Sequence, residues 1–225
     1  MPPAAPEAAD LTIGEKAYRR IRDDILMGGL KPGQKLTLER MRDRYATSVS
    51  TLREILSRLE AERLVVAEGQ RGFHVSPISI ADLKELASLR VLLEGHALAQ
   101  SFAAGDTEWE GRVVSTHHKL AAMEQRVAAG DRGAIESWKR YDWQFHQSLI
   151  AACGSKTLVE THAAVFDRYI RYQMLALSYR GAISADEHHA LLDCALARDA
   201  ARARTVLIAH IEGGVAHAIA TGTIV

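Results

Sequence analysis

Apolar positions recur at helical spacing in short stretches near the start of the chain, then almost continuously from Ile80 onward. Ala17, Ile21 and Ile25 form one stripe of the segment Glu15 to Met27, which stops at Gly28-Gly29. Leu38 to Leu59 reads as two short helices joined by a tight turn, with Leu52, Ile55, Leu56 and Leu59 on one apolar face of the second. Ser48 is a natural N-cap, because its hydroxyl can accept a bond from an unpaired N–H of the first turn. Ser50, Thr51 and Arg53 then project away from the apolar face near the helix start, where helix-turn-helix proteins carry their recognition residues. Leu30-Lys-Pro-Gly33 is a turn signal, and Leu64-Val-Val-Ala67 and Gly72-Phe-His-Val75 predict a hairpin around Glu68 to Arg71. Three helices followed by a hairpin predict a winged helix-turn-helix over residues 11–76.

Ser76-Pro-Ile-Ser79 is the natural joint to the second half of the chain, since proline breaks the second strand. Beyond it the pattern predicts helices at 80–104, 107–129, 131–152, 156–179, 184–198 and 199–221, separated by Gly105-Asp, Gly130-Asp, Gly154-Ser and the turn Arg180 to Ser184. Ser184-Ala-Asp-Glu187 has the form of a capping box. No strand pattern or glycine-rich phosphate loop interrupts this region, so residues 77–225 are expected to form an all-helical bundle. The fold class is mainly α, in two domains, as the 225-residue length favours.

Charge changes this picture modestly. Residues 11–76 carry 13 Lys+Arg against 9 Asp+Glu, a net of 13 − 9 = +4, while the whole chain balances at 28 against 28. A basic lobe on an otherwise acidic chain fits a DNA reader, whose affinity would come largely from phosphate neutralisation. No apolar run approaches the roughly 20 residues of a bilayer span. Met1 to Glu7 lacks the basic start and apolar centre of a signal peptide, and residues 1–10 are expected to be a disordered arm. Cys153 and Cys194 have no metal-type spacing and sit among alanine and leucine, as buried reduced thiols would. A cytoplasmic protein is the expectation.

Within the helical region, polar residues fall on faces that should be apolar. Asp142 and His146 are one turn apart on a face shared with Trp138, Leu149 and Ile150. His188 shares a face with Leu191, Leu192 and Ala195, and His210 with Val206, Leu207 and Gly214. Burying such groups is costly unless they are paired or coordinate something. A carboxylate and three imidazoles suit zinc, nickel, manganese or iron. The alternative is that each histidine is separately hydrogen-bonded in the core or lies at the surface. Arg90, one turn before Glu94, either grips a ligand carboxylate or forms an internal pair with Glu94. Arg168, Arg171, Tyr172 and Gln173 offer further polar contacts, and His117, His118, His162 and His217 have no assigned task.

The chain resembles the GntR family of bacterial transcription regulators, in the Leu30-Lys-Pro-Gly33 turn, the Ser48…Leu52-Arg53-Glu54…Leu56 core, the Leu59 to Val65 run and the Arg71-Gly72 wing tip. That resemblance implies DNA contacts by Arg40, Arg53, Arg71 and Gly72, with Ser48, Ser50 and Thr51 as backbone or base contacts. Val49, Thr51 and Ala46 depart from the arginine, proline and glycine common in relatives. Arg90-x-x-x-Glu94, Asp142-x-x-Phe-His146, Glu187-His188 and Leu207-x-x-His210 resemble the FCD ligand-binding domain of the FadR-type branch, in length closest to the VanR-like subgroup. In metal-binding members the matching residues hold a divalent cation whose coordination a small carboxylate completes, which implies Asp142, His146, His188 and His210 as ligands. His189 is a rival for His188. Arg90 and Glu94 are the expected effector contacts.

The resemblance further implies a homodimer on a near-palindromic operator, with an organic acid as effector and repression as the commoner outcome. Two other readings stand beside it. One is a metal-responsive regulator with no organic effector. The other is a metal-dependent hydrolase, for which the sequence offers no convincing second catalytic residue beyond Glu187.

Overall fold

The computed structural model describes residues 11–176 and 179–224, apart from the side chain of Gln70; the expected arm at 1–10 lies outside the described residues. The chain divides into two compact units, Met1–Ile78 and Ser79–Val225.

The first unit contains helices α1 (Ile13–Leu26), α2 (Leu38–Tyr45) and α3 (Val49–Ala61), with strands β1 (Lys35–Leu36), β2 (Val65–Ala67) and β3 (Phe73–Val75). Ala17, Ile21 and Ile25 of α1 meet Leu52, Ile55, Leu56 and Leu59 of α3 in a core that Leu30, Leu64 and Val75 complete. The wing is the antiparallel pair β2–β3, with Val65 opposite Val75 and a single 3₁₀ turn, Gly69–Arg71, at its tip. The sequence pattern does not reveal β1. It pairs antiparallel with β3 to give the order β1-β3-β2, but two residues are too few to show a period.

The second unit is helical: α4 (Ile80–Ala104), α5 (Thr107–Ala128), α6 (Ile135–Ile150), α7 (Lys156–Leu175), α8 (Ala182–Leu196) and α9 (Ala200–Ala220). α4 packs against α7 and α9, α5 against α6 and α8, and α8 against α9. Gly105 separates α4 from α5 for reasons of space, since a Cβ there would lie 2.4 Å from the Trp109 ring. That ring is fully buried and its indole N–H donates to the Ser148 carbonyl at 2.9 Å.

Two predicted helix starts are corrected. The helix expected over 131–152 is split, because Asp131 accepts from the Gly133 amide and holds a 3₁₀ turn, Arg132–Ala134, ahead of α6. The Ser184–Glu187 capping box does not form. α8 already begins at Ala182, and the Ser184 hydroxyl donates to the Gly181 carbonyl at 3.2 Å. Glu187 instead accepts from Arg180 and His210, charge-assisted bonds stronger than a neutral cap. Among the described residues no helix is long and apolar enough to cross a membrane.

Candidate metal centre and nucleic-acid interface

Asp142 and His146 face the bundle interior from α6 because four residues make about one helical turn. α8 presents His188 and α9 presents His210 to the same point. One ligand atom from each of these four buried residues lies within 4.8 Å of the others. Of the two adjacent histidines of α8, His188 is buried and faces this point, while the His189 side chain is 65% exposed.

The outer nitrogens of the three imidazoles are each held by a glutamate. His146 Nδ1 meets Glu94 of α4, His188 Nδ1 meets Glu124 of α5 at 2.7 Å, and His210 Nδ1 meets Glu187 of α8 at 2.8 Å. A glutamate on Nδ1 leaves Nε2 free to act as a donor toward a cation. The inner atoms lack such partners. Asp142 Oδ1, His146 Nε2 and His188 Nε2 are buried without a hydrogen bond. Asp142 Oδ1 lies 3.2 Å from His188 Nε2 and 3.6 Å from His146 Nε2, but neither approach has hydrogen-bonding geometry. Buried polar atoms are rarely left so, and three converging on one point match the donor set of a divalent cation.

Electrostatics separates the three imidazoles. Burial pushes the His210 pKa down to about 3, so its contact with Glu187 is a hydrogen bond from a neutral ring rather than an ion pair. Burial likewise lowers His146, against the pull of Glu94. At His188 burial also acts downward, but Asp142 and Glu124 outweigh it and push the pKa up to about 9. A proton and a metal ion are therefore alternatives at His188. Burial would raise Asp142, yet Lys139 and the neighbouring imidazoles hold it well below the usual carboxylate range. Glu187, despite partial burial, is held down to about 2 by His210 and Arg180.

Three cations surround the centre. Arg90 is buried, pairs with Glu94 at 3.0 Å, and lies over the rings of Phe166 and Tyr169. Lys139, also buried, contacts Asp142 at 3.3 Å and the Gln173 amide oxygen. Arg180 donates to Glu187 at 3.2 Å and to the His210 carbonyl at 3.1 Å. Glu94, expected as an effector contact, accepts from His146, His162 and Arg90. Of the other polar residues expected on α7, Arg168 pairs with Asp82 at 2.7 Å and Tyr172 donates to the same carboxylate. Sequence reasoning does not single out Glu124, Lys139 or His162. Glu124 and Lys139 read as ordinary helix charges, while His162 is one histidine among ten.

In the winged unit the expected DNA-contacting residues lie around the start of α3 and the wing. The Ser48 hydroxyl accepts from the Thr51 amide at 3.1 Å and so caps α3. Ser50 and Arg53 are exposed, and Thr51 is half-buried. Arg40 on α2 is exposed, and among the described residues neither it nor Arg53 has an ion pair, whereas Arg44 pairs with Asp24 and Arg58 with Glu15. The Arg71 side chain is 83% exposed, with Glu68 no nearer than 3.9 Å. Gly72 beside it takes φ 87°, a conformation that L side chains rarely adopt. A concavity at the first turns of α1 and α3 is lined by Gly14, Arg42, Ser48 and Thr51.

Comparison with known proteins agrees with both halves. Residues 13–75 match the gntR family of bacterial regulatory proteins, and residues 85–213 match the FCD domain. The chain is 40% identical over 203 residues to the uncharacterized HTH-type transcriptional regulator BphR of Paraburkholderia xenovorans, covering 89% of this chain and 83% of that one. It is 33% identical over 201 residues to the HTH-type transcriptional repressor GlaR of Escherichia coli, covering 86% and 90%. The solved structure of E. coli McbR/YncC shares the fold, with a TM-score of 0.77 at 19% identity over 93% of this chain and 98% of that one. With a winged reader in front of an FCD bundle, this chain belongs to the GntR family and is a DNA-binding transcriptional regulator rather than an enzyme.

Proposed function

We propose that the protein is a repressor whose operator affinity is set by a small carboxylate bound at a divalent cation in the helical unit. The observation that carries this reading is the convergence of Asp142 Oδ1, His146 Nε2 and His188 Nε2, buried and without a hydrogen bond, while glutamates hold the outer faces of all three imidazoles. Asp142, His146, His188 and His210 would hold the cation, which would offer open coordination positions to a carboxylate oxygen. Lys139 and Arg180 stand beside it and would draw an anionic ligand if it displaced their contacts with Asp142 and Glu187.

On the DNA side, a homodimer would place two copies of α3 in successive major grooves, about one helical turn apart. Arg53, Ser50 and Thr51 would face base edges or backbone, Arg40 and the α3 cap region the phosphates, and Arg71-Gly72 the flanking groove. An effector alters operator affinity only through unequal binding to the DNA-competent and DNA-incompetent states. The E. coli relative named as a repressor supports repression here.

Metal analysis of the purified protein tests the first half. One equivalent of divalent cation in wild type and none in His146→Ala is expected; equal metal content in the two would remove the proposed ligand set. Operator titrations with zinc alone, and with zinc plus a panel of small carboxylates, test the second half. One observation favours a regulator answering to the metal alone: Arg90 is already committed to Glu94. A response to zinc with no further response to any acid would decide for that reading.

A further inference from the structure

We propose that His162 is a positioning residue for the metal centre, acting through Glu94 to fix both the orientation and the tautomer of His146. The inference rests on the metal reading above and adds a residue that touches none of the four ligands.

His162 lies on α7 and is fully buried, with both ring nitrogens engaged. Nε2 is 2.9 Å from Glu94 Oε2, and Nδ1 is 2.8 Å from the side-chain nitrogen of Gln147. With the Gln147 amide nitrogen facing the ring, it donates and Nδ1 of His162 accepts. The ring proton then sits on Nε2 and is donated to Glu94. The other oxygen of Glu94 accepts from His146 Nδ1, which leaves the lone pair of His146 on Nε2, the atom turned toward Asp142 and His188. Each step from Gln147 through His162 and Glu94 to His146 thus has one permitted direction.

The geometry also explains why Arg90 cannot do this alone. Arg90 and Glu94 stand on the same helix, and the guanidinium donates to Oε2 through both Nε and Nη2. Arg90 meets α7 by packing over the rings of Phe166 and Tyr169, which gives the carboxylate no directed bond to that helix. His162 ties Oε2 to α7, and so fixes the carboxylate between two helices and aims Oε1 at His146.

The first test is the ring tautomer in the wild-type protein, read by long-range ¹H–¹⁵N spectra of ¹⁵N-histidine-labelled full-length chain. Nε2–H at His162 and Nδ1–H at His146 are expected; Nδ1–H or a doubly protonated ring at His162 would overturn the proposal. The second is zinc affinity. His162→Phe should weaken it about 10–100-fold, the usual range for loss of a partner behind a metal-ligating histidine. His162→Gln, which can still donate to Glu94, should restore most of that loss. Zinc affinity in His162→Phe equal to that of wild type would also overturn the proposal. Should His162→Phe not fold, Gln147→Leu serves instead, because Gln147 lines an open groove between α5 and α6 and is only half-buried. It leaves Glu94 as the acceptor for Nε2, so the Nε2–H form should persist at His162; a ring protonated on Nδ1 alone would overturn the relay. Wild-type protein that takes up no zinc would sink the metal reading, while its tautomers would still decide the relay.

Discussion

Among the described residues, the winged unit buries only apolar side chains, two tyrosines and Ser76, whereas the helical unit buries Arg90, Glu94, Glu124, Lys139, Asp142 and five histidines. The first keeps its polar residues outside for a charged partner; the second turns them inward around a point. The difference is one of energetics as well as function. An apolar core loses transfer energy when a side chain is trimmed, in proportion to what was removed. A buried polar network loses more, because removing one member leaves the others charged or unbonded in a medium that cannot solvate them.

The largest expected effect comes from breaking that network where it is most connected. Glu94→Ala strips Arg90, His146 and His162 of their shared acceptor, and should cost about 3–5 kcal/mol in urea unfolding of the full chain. Unchanged stability would erase the proposed contrast between the units. Glu124→Gln is a milder probe, since it keeps the shape but weakens the hold on His188 Nδ1. Zinc affinity should fall about 10–100-fold in a titration against a competing chelator, with operator binding by the winged unit retained. A Glu124→Gln protein with wild-type zinc affinity would limit the glutamate shell to Glu94 and Glu187.

In the winged unit the effects should be smaller and confined to DNA. Arg53→Ala should weaken specific operator binding by about 1–3 kcal/mol if the guanidinium reads a base, while metal content stays unchanged. An equal loss on specific and random duplexes would move Arg53 from base reading to phosphate contact. The smallest effect concerns Ala46, which ends α2 at φ 49° and ψ 51°, the left-handed region. Ala46→Gly should stabilise the unit by about 0.5–1 kcal/mol, the left-handed penalty of an L-residue less the extra chain entropy of glycine. Thermal unfolding would show it, and a destabilised variant would mean that the alanine methyl has a packing role.

Legibility tracks the range of the interactions. Ser48 and Thr51, or Asp142 and His146, lie within four residues, so helical geometry alone puts them together. The partners of the imidazoles are far away in sequence: His146 and Glu94 are separated by 52 residues, His188 and Glu124 by 64, and His162 and Glu94 by 68. No local pattern reports such a pairing. Glu187 misleads for the complementary reason. Its spacing from Ser184 fits a capping box, but Arg180 and His210 compete for the same carboxylate from the fold.

The order of residues determined the helices, the wing, the break near Ser79 and the faces on which Asp142, His146, His188 and His210 stand, because each depends on periodicity, caps and turns that act over a few residues. Packing chose among what those left open. It turned His188 inward and His189 outward, gave each imidazole its glutamate, and committed Arg90 to Glu94. The reason is that the cost of burying a charge depends on what surrounds it in space, which only the assembled helices define.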